Sequence, residues 1–137
     1  MNYRASFCDP FEPGVIEIGD ISADSVIDRF EKIPWAEYLT KMADAEQKDI
    51  HYSPSFEVEN KDTKHGLSLS AVGDPGDYEF YVFYKRPKRV SSFFGLIKKM
   101  NDSYTTDKTG FTKQDALHCL QALLKNDAAY LAGRIGE

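Results

Sequence analysis

Between Ile50 and Lys88 the apolar residues recur at every second position, in three runs separated by clusters of turn-forming residues, and this pattern leaves little choice of architecture. The runs are Ile50 to Glu59, Leu67 to Val72 and Tyr78 to Arg86. Asn60-Lys61-Asp62-Thr63-Lys64-His65-Gly66 joins the first two, and Gly73-Asp74-Pro75-Gly76-Asp77 joins the last two. Short connections rich in Gly, Asn and Asp between alternating runs predict an antiparallel three-stranded meander. Successive side chains of a strand point to opposite faces. Phe56, Val58, Leu67, Leu69, Phe80 and Val82 therefore share a core face, while Ser55, Glu57, Glu59, Ser68, Ser70, Glu79, Tyr81, Phe83 and Lys85 share the other.

Around the meander the pattern predicts a hairpin and helices. Tyr3, Ala5 and Phe7 alternate, as do Ile16 and Ile18, with Asp9-Pro10 and Pro13-Gly14 between them, so residues 3 to 8 and 14 to 18 read as two short strands. Ser22 or Asp20 then caps a helix that places Val26, Ile27, Phe30 and Ile33 on one side. Pro34 ends it and is tolerated in the first turn of a second helix, in which Trp35, Tyr38, Leu39 and Met42 face inward. Trp35 reads as a core anchor. Ser91 and Ser92 precede Phe93, Phe94, Leu96, Ile97 and Met100, a short helix weakened by Gly95, and residues 101 to 110 read as a polar loop. Thr112 and Asp115 form a capping-box pair ahead of Leu117, Leu120, Leu123 and Leu124, and this last helix is expected to stop near Ala132 at Gly133.

These elements add up to an α+β fold: an antiparallel sheet of about five strands, the N-terminal hairpin plus the meander, covered on one face by two to four helices. At 137 residues the chain is the size of one domain and folding buries roughly 70% of its unfolded surface, so residues 1 to 137 are taken as one unit. No apolar run approaches the ~18 residues of a membrane span, and the first ten residues lack an apolar leader core; the reading is a soluble chain that stays in the cytoplasm. Cys8 and Cys119 behave as small buried hydrophobes in such a chain rather than as a disulfide framework.

Charge separates the halves of the chain. Residues 1 to 82 hold seven Lys and Arg against 17 Asp and Glu, a balance of −10, and residues 83 to 137 hold ten against five, a balance of +5. Either the two charged regions serve partners or they neutralise one another on folding.

Familiar catalytic and cofactor patterns are missing from the sequence. The three histidines, His51, His65 and His118, and the two cysteines show no zinc-type spacing, and His118 and Cys119, adjacent on a helix, point about 100° apart, so no metal or other cofactor is expected. Cys119 lies in mid-helix rather than at a thiolate-stabilising N-terminus. Gly73-Asp74-Pro75-Gly76-Asp77 puts two carboxylates where a phosphate would sit, and no Gly-x-Ser-x-Gly or His-Glu-x-x-His motif occurs. No residue is assigned a catalytic role.

What remains is the outer face of the meander, with Glu57, Glu59, Glu79, Tyr81, Phe83 and Lys85 as candidate partner-binding residues. Its rings have a plainer account as cross-strand packing on a half-solvated sheet. The functional reading is a non-enzymatic module that docks a basic protein through this acidic and aromatic surface, for example an inhibitor or immunity-type protein that blocks a nuclease-like toxin. A second reading makes Glu57, Glu59, Tyr81 and Lys85 a ligand or hydrolytic site between sheet and helices, since alternate Glu residues sit roughly 7 Å apart, within the range of an inverting carboxylate pair. A third gives Lys85, Arg86, Lys88 and Arg89 to nucleic acid, against which the sequence pI of about 5.2 and the acidic face both count. The cluster also has a plain structural account, a charged, proline-bearing end that blunts a sheet edge.

Overall fold

In the computed structural model, which describes residues 2–92 and 97–137, the meander is the centre of a six-stranded antiparallel sheet. The strands are β1 (Tyr3–Cys8), β2 (Ile16–Ile21), β3 (Ser55–Asn60), β4 (Gly66–Asp74), β5 (Asp77–Ser92) and β6 (Ile97–Phe111), in the order β2-β1-β3-β4-β5-β6. The expected α+β class holds, with one strand more than the five anticipated. β1 joins the hairpin to the meander: it pairs with β2 on one side and with β3 on the other, setting Ala5 opposite Val58 and Phe7 opposite Phe56.

Among the described residues there are four α-helices: α1 (Ala23–Lys32), α2 (Trp35–Asp44), α3 (Lys113–Leu124) and α4 (Ala128–Ile135). Ser22 caps α1 by accepting the Ser25 N–H, and Thr112 and Asp115 close the capping box of α3. Their apolar stripes meet the inner face of the sheet, where Phe30, Phe56, Phe80, Val82, Cys119 and Leu120 are fully shielded from water. Trp35 is the expected anchor: its ring stands edge-on to Phe80 at 5.1 Å and its Nε1–H donates to the Phe30 carbonyl at 3.3 Å.

Several expectations change, the first run among them, since of Ile50 to Glu59 only the part from Ser55 is strand. Residues 101 to 110, read as a polar loop, belong to β6, and so do Ile97 to Met100 of the short helix; its Phe93 to Leu96 fall outside the described residues. β6 hid because its described positions, apart from Phe111, are exposed or half-buried and need few apolar residues, and Tyr104, Thr105, Thr106 and Thr109 carry its β-propensity instead. The C-terminal helix is two helices, broken at Asn126, whose φ of 57° no helix accommodates; the chain restarts under the Asp127 cap, so Gly133 lies inside α4 rather than at a stop. β5 is also no simple edge. It is paired on both sides up to Lys85, opposite Gly66, and from Arg86 onward it continues only with β6.

Within that continuation Arg86 is buried, contrary to its reading as an edge charge. Its guanidinium lies 4.1 Å from the Tyr84 ring centre and 4.8 Å from that of Tyr104, and it donates to the Tyr84 carbonyl, to Thr106 Oγ1 and to the Gly136 carbonyl. Tyr104 Oη donates in turn to the Glu137 carbonyl at 2.7 Å. The C-terminal turn of α4 is thereby fastened to β5 and β6. Pro87, which has no N–H to give a ladder, sits at a register shift between Arg86 and Lys88.

Candidate functional site

Because directly opposed residues of antiparallel strands share a face, the register spells out the open side of the sheet row by row. One row crosses all six strands as Glu17, Ser6, Glu57, Ser68, Phe83 and Asp107. The next crosses them as Asp20, Arg4, Glu59, Gly66, Lys85 and Thr105. The structure brings all six predicted residues onto this one face and adds Arg4, Ser6, Glu17, Thr105 and Asp107. Those additions were out of reach of the sequence, since nothing in it announced that β1 would lie against β3 or that residues 97–111 would form a strand.

Gly66 matters by what it lacks. With no side chain there, Lys85 on β5 reaches over β4 to Glu59 on β3, an ion pair of 3.4 Å. A Cβ at Gly66 would stand 3.0 Å from the Val58 carbonyl oxygen. Both partners are substantially exposed, at 47% and 30% of their side-chain surface, so the pair contributes little stability and mainly fixes where the two charges stand. Arg4 similarly approaches Glu17, at 4.0 Å. A shallow depression of about 380 Å³ opens here, lined by Arg4, Ser6, Glu57, Ser68, Phe83 and Lys85 among others.

Three other carboxylates on the face are held by neutral donors. Ser6 Oγ donates to Glu57 at 3.3 Å, with the Cys8 thiol 3.9 Å away on its other oxygen; Thr109 donates to Glu79 at 2.9 Å; and Tyr81 donates to Asp107 at 3.1 Å. Among the described residues none of the three has a Lys or Arg nitrogen within 4.0 Å. The neighbouring groups feel their charge: the Tyr81 hydroxyl titrates above its ordinary value, chiefly through its bond to Asp107, and the Cys8 thiol is pushed up by burial and then by Glu57. The Tyr81 and Phe83 rings stack at 4.4 Å with planes 17° apart, a flat apolar step among the acids. Both rings are half-buried by their neighbours in the sheet, and the helices pack on the opposite side.

Glu59 is committed to Lys85 and Glu57 to Ser6, and both lie on the open side of the sheet rather than between sheet and helices. The basic cluster is dispersed: Lys85 pairs with Glu59, Arg86 is buried, Lys88 Nζ lies 4.7 Å over the Tyr104 ring, and Arg89 is exposed. Among the described residues no three His, Cys, Asp or Glu side chains gather as a metal site, and no helix is long and apolar enough to cross a membrane. Both cysteines are free and buried. No protein-family model matches the chain, and comparisons with curated proteins and with solved structures return no match.

Proposed function

We propose that the protein is a non-catalytic binding module whose open sheet face docks a basic polypeptide. The observation that carries this reading is the set Glu57, Glu79 and Asp107: three carboxylates on one face, each oriented by a hydroxyl donor and none neutralised by a cation among the described residues. Uncompensated charge of one sign steers an opposite partner and fixes its register, and the stacked Tyr81 and Phe83 supply apolar area for its aliphatic stems. An inhibitor that occupies the cationic active site of a nuclease-like toxin is the concrete form of such a module.

The test is a hydrogen-exchange footprint with a Lys- and Arg-rich peptide as probe. Binding should slow exchange in β1, β3 and β5 around Ser6, Glu57 and Phe83, and Glu57→Lys with Asp107→Lys should abolish both binding and protection while leaving the melting temperature within a few degrees. Protection confined to the helical side would refute the assignment.

A further inference from the structure

After β4 has stopped at Gly66, β5 and β6 run on together as a two-stranded arm, Arg86 to Ser92 against Ile97 to Tyr104. At about 3.3 Å per residue the β5 side alone adds roughly 23 Å beyond the last β4 pairing. A two-stranded ribbon is marginal by itself in water and is stabilised by a further strand or by packing on another surface. Its root is packed through Arg86, Tyr104 and α4, and among the described residues no third strand adjoins the ribbon beyond Pro87.

The arm's chemistry is the inverse of the open face. Residues 85 to 100 include six Lys and Arg and no Asp or Glu. The register sets Lys88 opposite Asn101 and Arg89 opposite Met100, so these two adjacent cations fall on opposite sides of the ribbon. Met100 is 56% exposed, so the ribbon also offers apolar area. Lys85 and Thr105, at the root of the arm, line the depression on the open face, so arm and face adjoin in each copy.

We infer that the arm of one copy lies across the open face of a second copy, its cations against Glu57, Glu79 and Asp107, in a two-fold dimer that exchanges arms. This rests on the reading of the open face as a docking surface for a basic polypeptide and names the occupant. Six strands at about 4.8 Å span roughly 24 Å, which the arm's length matches. Each chain owns one arm and one face, so a single two-fold axis satisfies both contacts and closes the assembly. The contact also supplies the layer that the ribbon lacks.

A charge-swap experiment on the whole chain tests this by light scattering at low salt. The unaltered chain should run at twice the mass of one copy and dissociate as salt is raised. Lys88→Glu, Arg89→Glu, Lys98→Glu and Lys99→Glu together turn residues 85 to 100 from +6 to −2, an acidic arm on an acidic face, and Glu57→Lys with Asp107→Lys turns the set Glu57, Glu79 and Asp107 from −3 to +1, a basic arm on a basic face. Each variant should weaken self-association by more than about tenfold, and mixing the two should restore the dimer, because each arm then meets a face of opposite charge. A monomer at all concentrations overturns the inference, as does a dimer that survives either variant. Salt-dependent retardation of duplex DNA by a monomeric chain, lost in the arm variant, overturns it in favour of a phosphate backbone as the arm's partner. If the chain is a monomer yet its face still binds the Lys- and Arg-rich peptide, the arm is not the occupant and the docking reading stands; if the peptide does not bind either, both fall.

Discussion

Replacing Arg86 separates two opposing effects in the structure: the cost of burying a guanidinium and the value of what it holds. The residue is 6% exposed, sits between two tyrosine rings and donates to three oxygens, the Tyr84 carbonyl at 2.9 Å, Thr106 Oγ1 at 2.6 Å and the Gly136 carbonyl at 2.8 Å. Charged hydrogen bonds contribute about 1.5–3 kcal/mol each and a desolvated cation–π contact about 2 kcal/mol, against a desolvation penalty of several kcal/mol. Removing the side chain relieves the penalty but takes a donor from the Tyr84 carbonyl, leaves Gly136 to Thr106 alone and opens a cavity, so Arg86→Ala should cost about 3 kcal/mol. Arg86→Met, which keeps the stem and its packing between the rings, should cost about half of that. In a chain of this size 3 kcal/mol lowers the melting temperature by about 10 °C. Urea unfolding gives the free energy, and hydrogen exchange gives its location: α4 should open first, since Arg86, together with Thr106, fastens Gly136 to the sheet. A loss below about 1 kcal/mol for Arg86→Ala, with α4 exchange unchanged, would show that the burial cost cancels the contacts and would refute the clasp.

Other consequences can be checked on the same material. His65 Nδ1 lies 2.8 Å from Tyr84 Oη, and burial, then the charge of Arg86, lower its pKa below the ordinary value near 6.5. The folded state thus prefers the neutral ring, so this contribution to stability is complete above pH 6.5, falls as the pH drops from there towards the folded pKa, and is level below it. His65→Gln should flatten that limb of a stability-versus-pH curve, and an identical slope would exclude His65 as its source. The Cys119 thiol, fully buried with its pKa raised to about 11, and the buried Cys8 should both resist a thiol reagent at pH 8 and react on unfolding; rapid labelling of either in the native protein would contradict their placement. Gly66→Val should cost about 1–3 kcal/mol by driving a Cβ against the Val58 carbonyl and should separate Lys85 from Glu59, whereas Gly14→Ala, with open space around it, should cost almost nothing in the same melt.

Much of the sheet was legible because binary pattern is local information. The alternation of β3, β4 and β5 put Phe56, Val58, Leu67, Leu69, Phe80 and Val82 on one face and Glu57, Glu59, Ser68, Glu79, Tyr81, Phe83 and Lys85 on the other, as the register does, and the Ser22 and Thr112 caps marked two helix starts. β6 escaped since its outer residues are polar and its inner ones few, and the break at Asn126 escaped because a left-handed residue with helix-forming neighbours leaves no period to read. Arg86 is the sharpest case. In sequence it is one of four cations in a row of five residues; alternation carries it to the side of Val82 and Tyr84, and the return of α4 supplies the Gly136 carbonyl that it meets there, while Arg89 stays in solvent.

The amino-acid sequence by itself determined the periods, the turns and the two faces of the central strands, because those depend on residues a few positions apart and on the fixed geometry of a strand. Tertiary structure alone decided that β1 would bring Ser6 and Arg4 beside Glu57 and Glu59, that Gly66 would leave a path for Lys85, and that β5 and β6 would outrun β4 as a basic arm. Those outcomes depend on pairings between segments tens of residues apart. Such pairings are selected by the packing of the whole inner face against the helices, which no local pattern encodes.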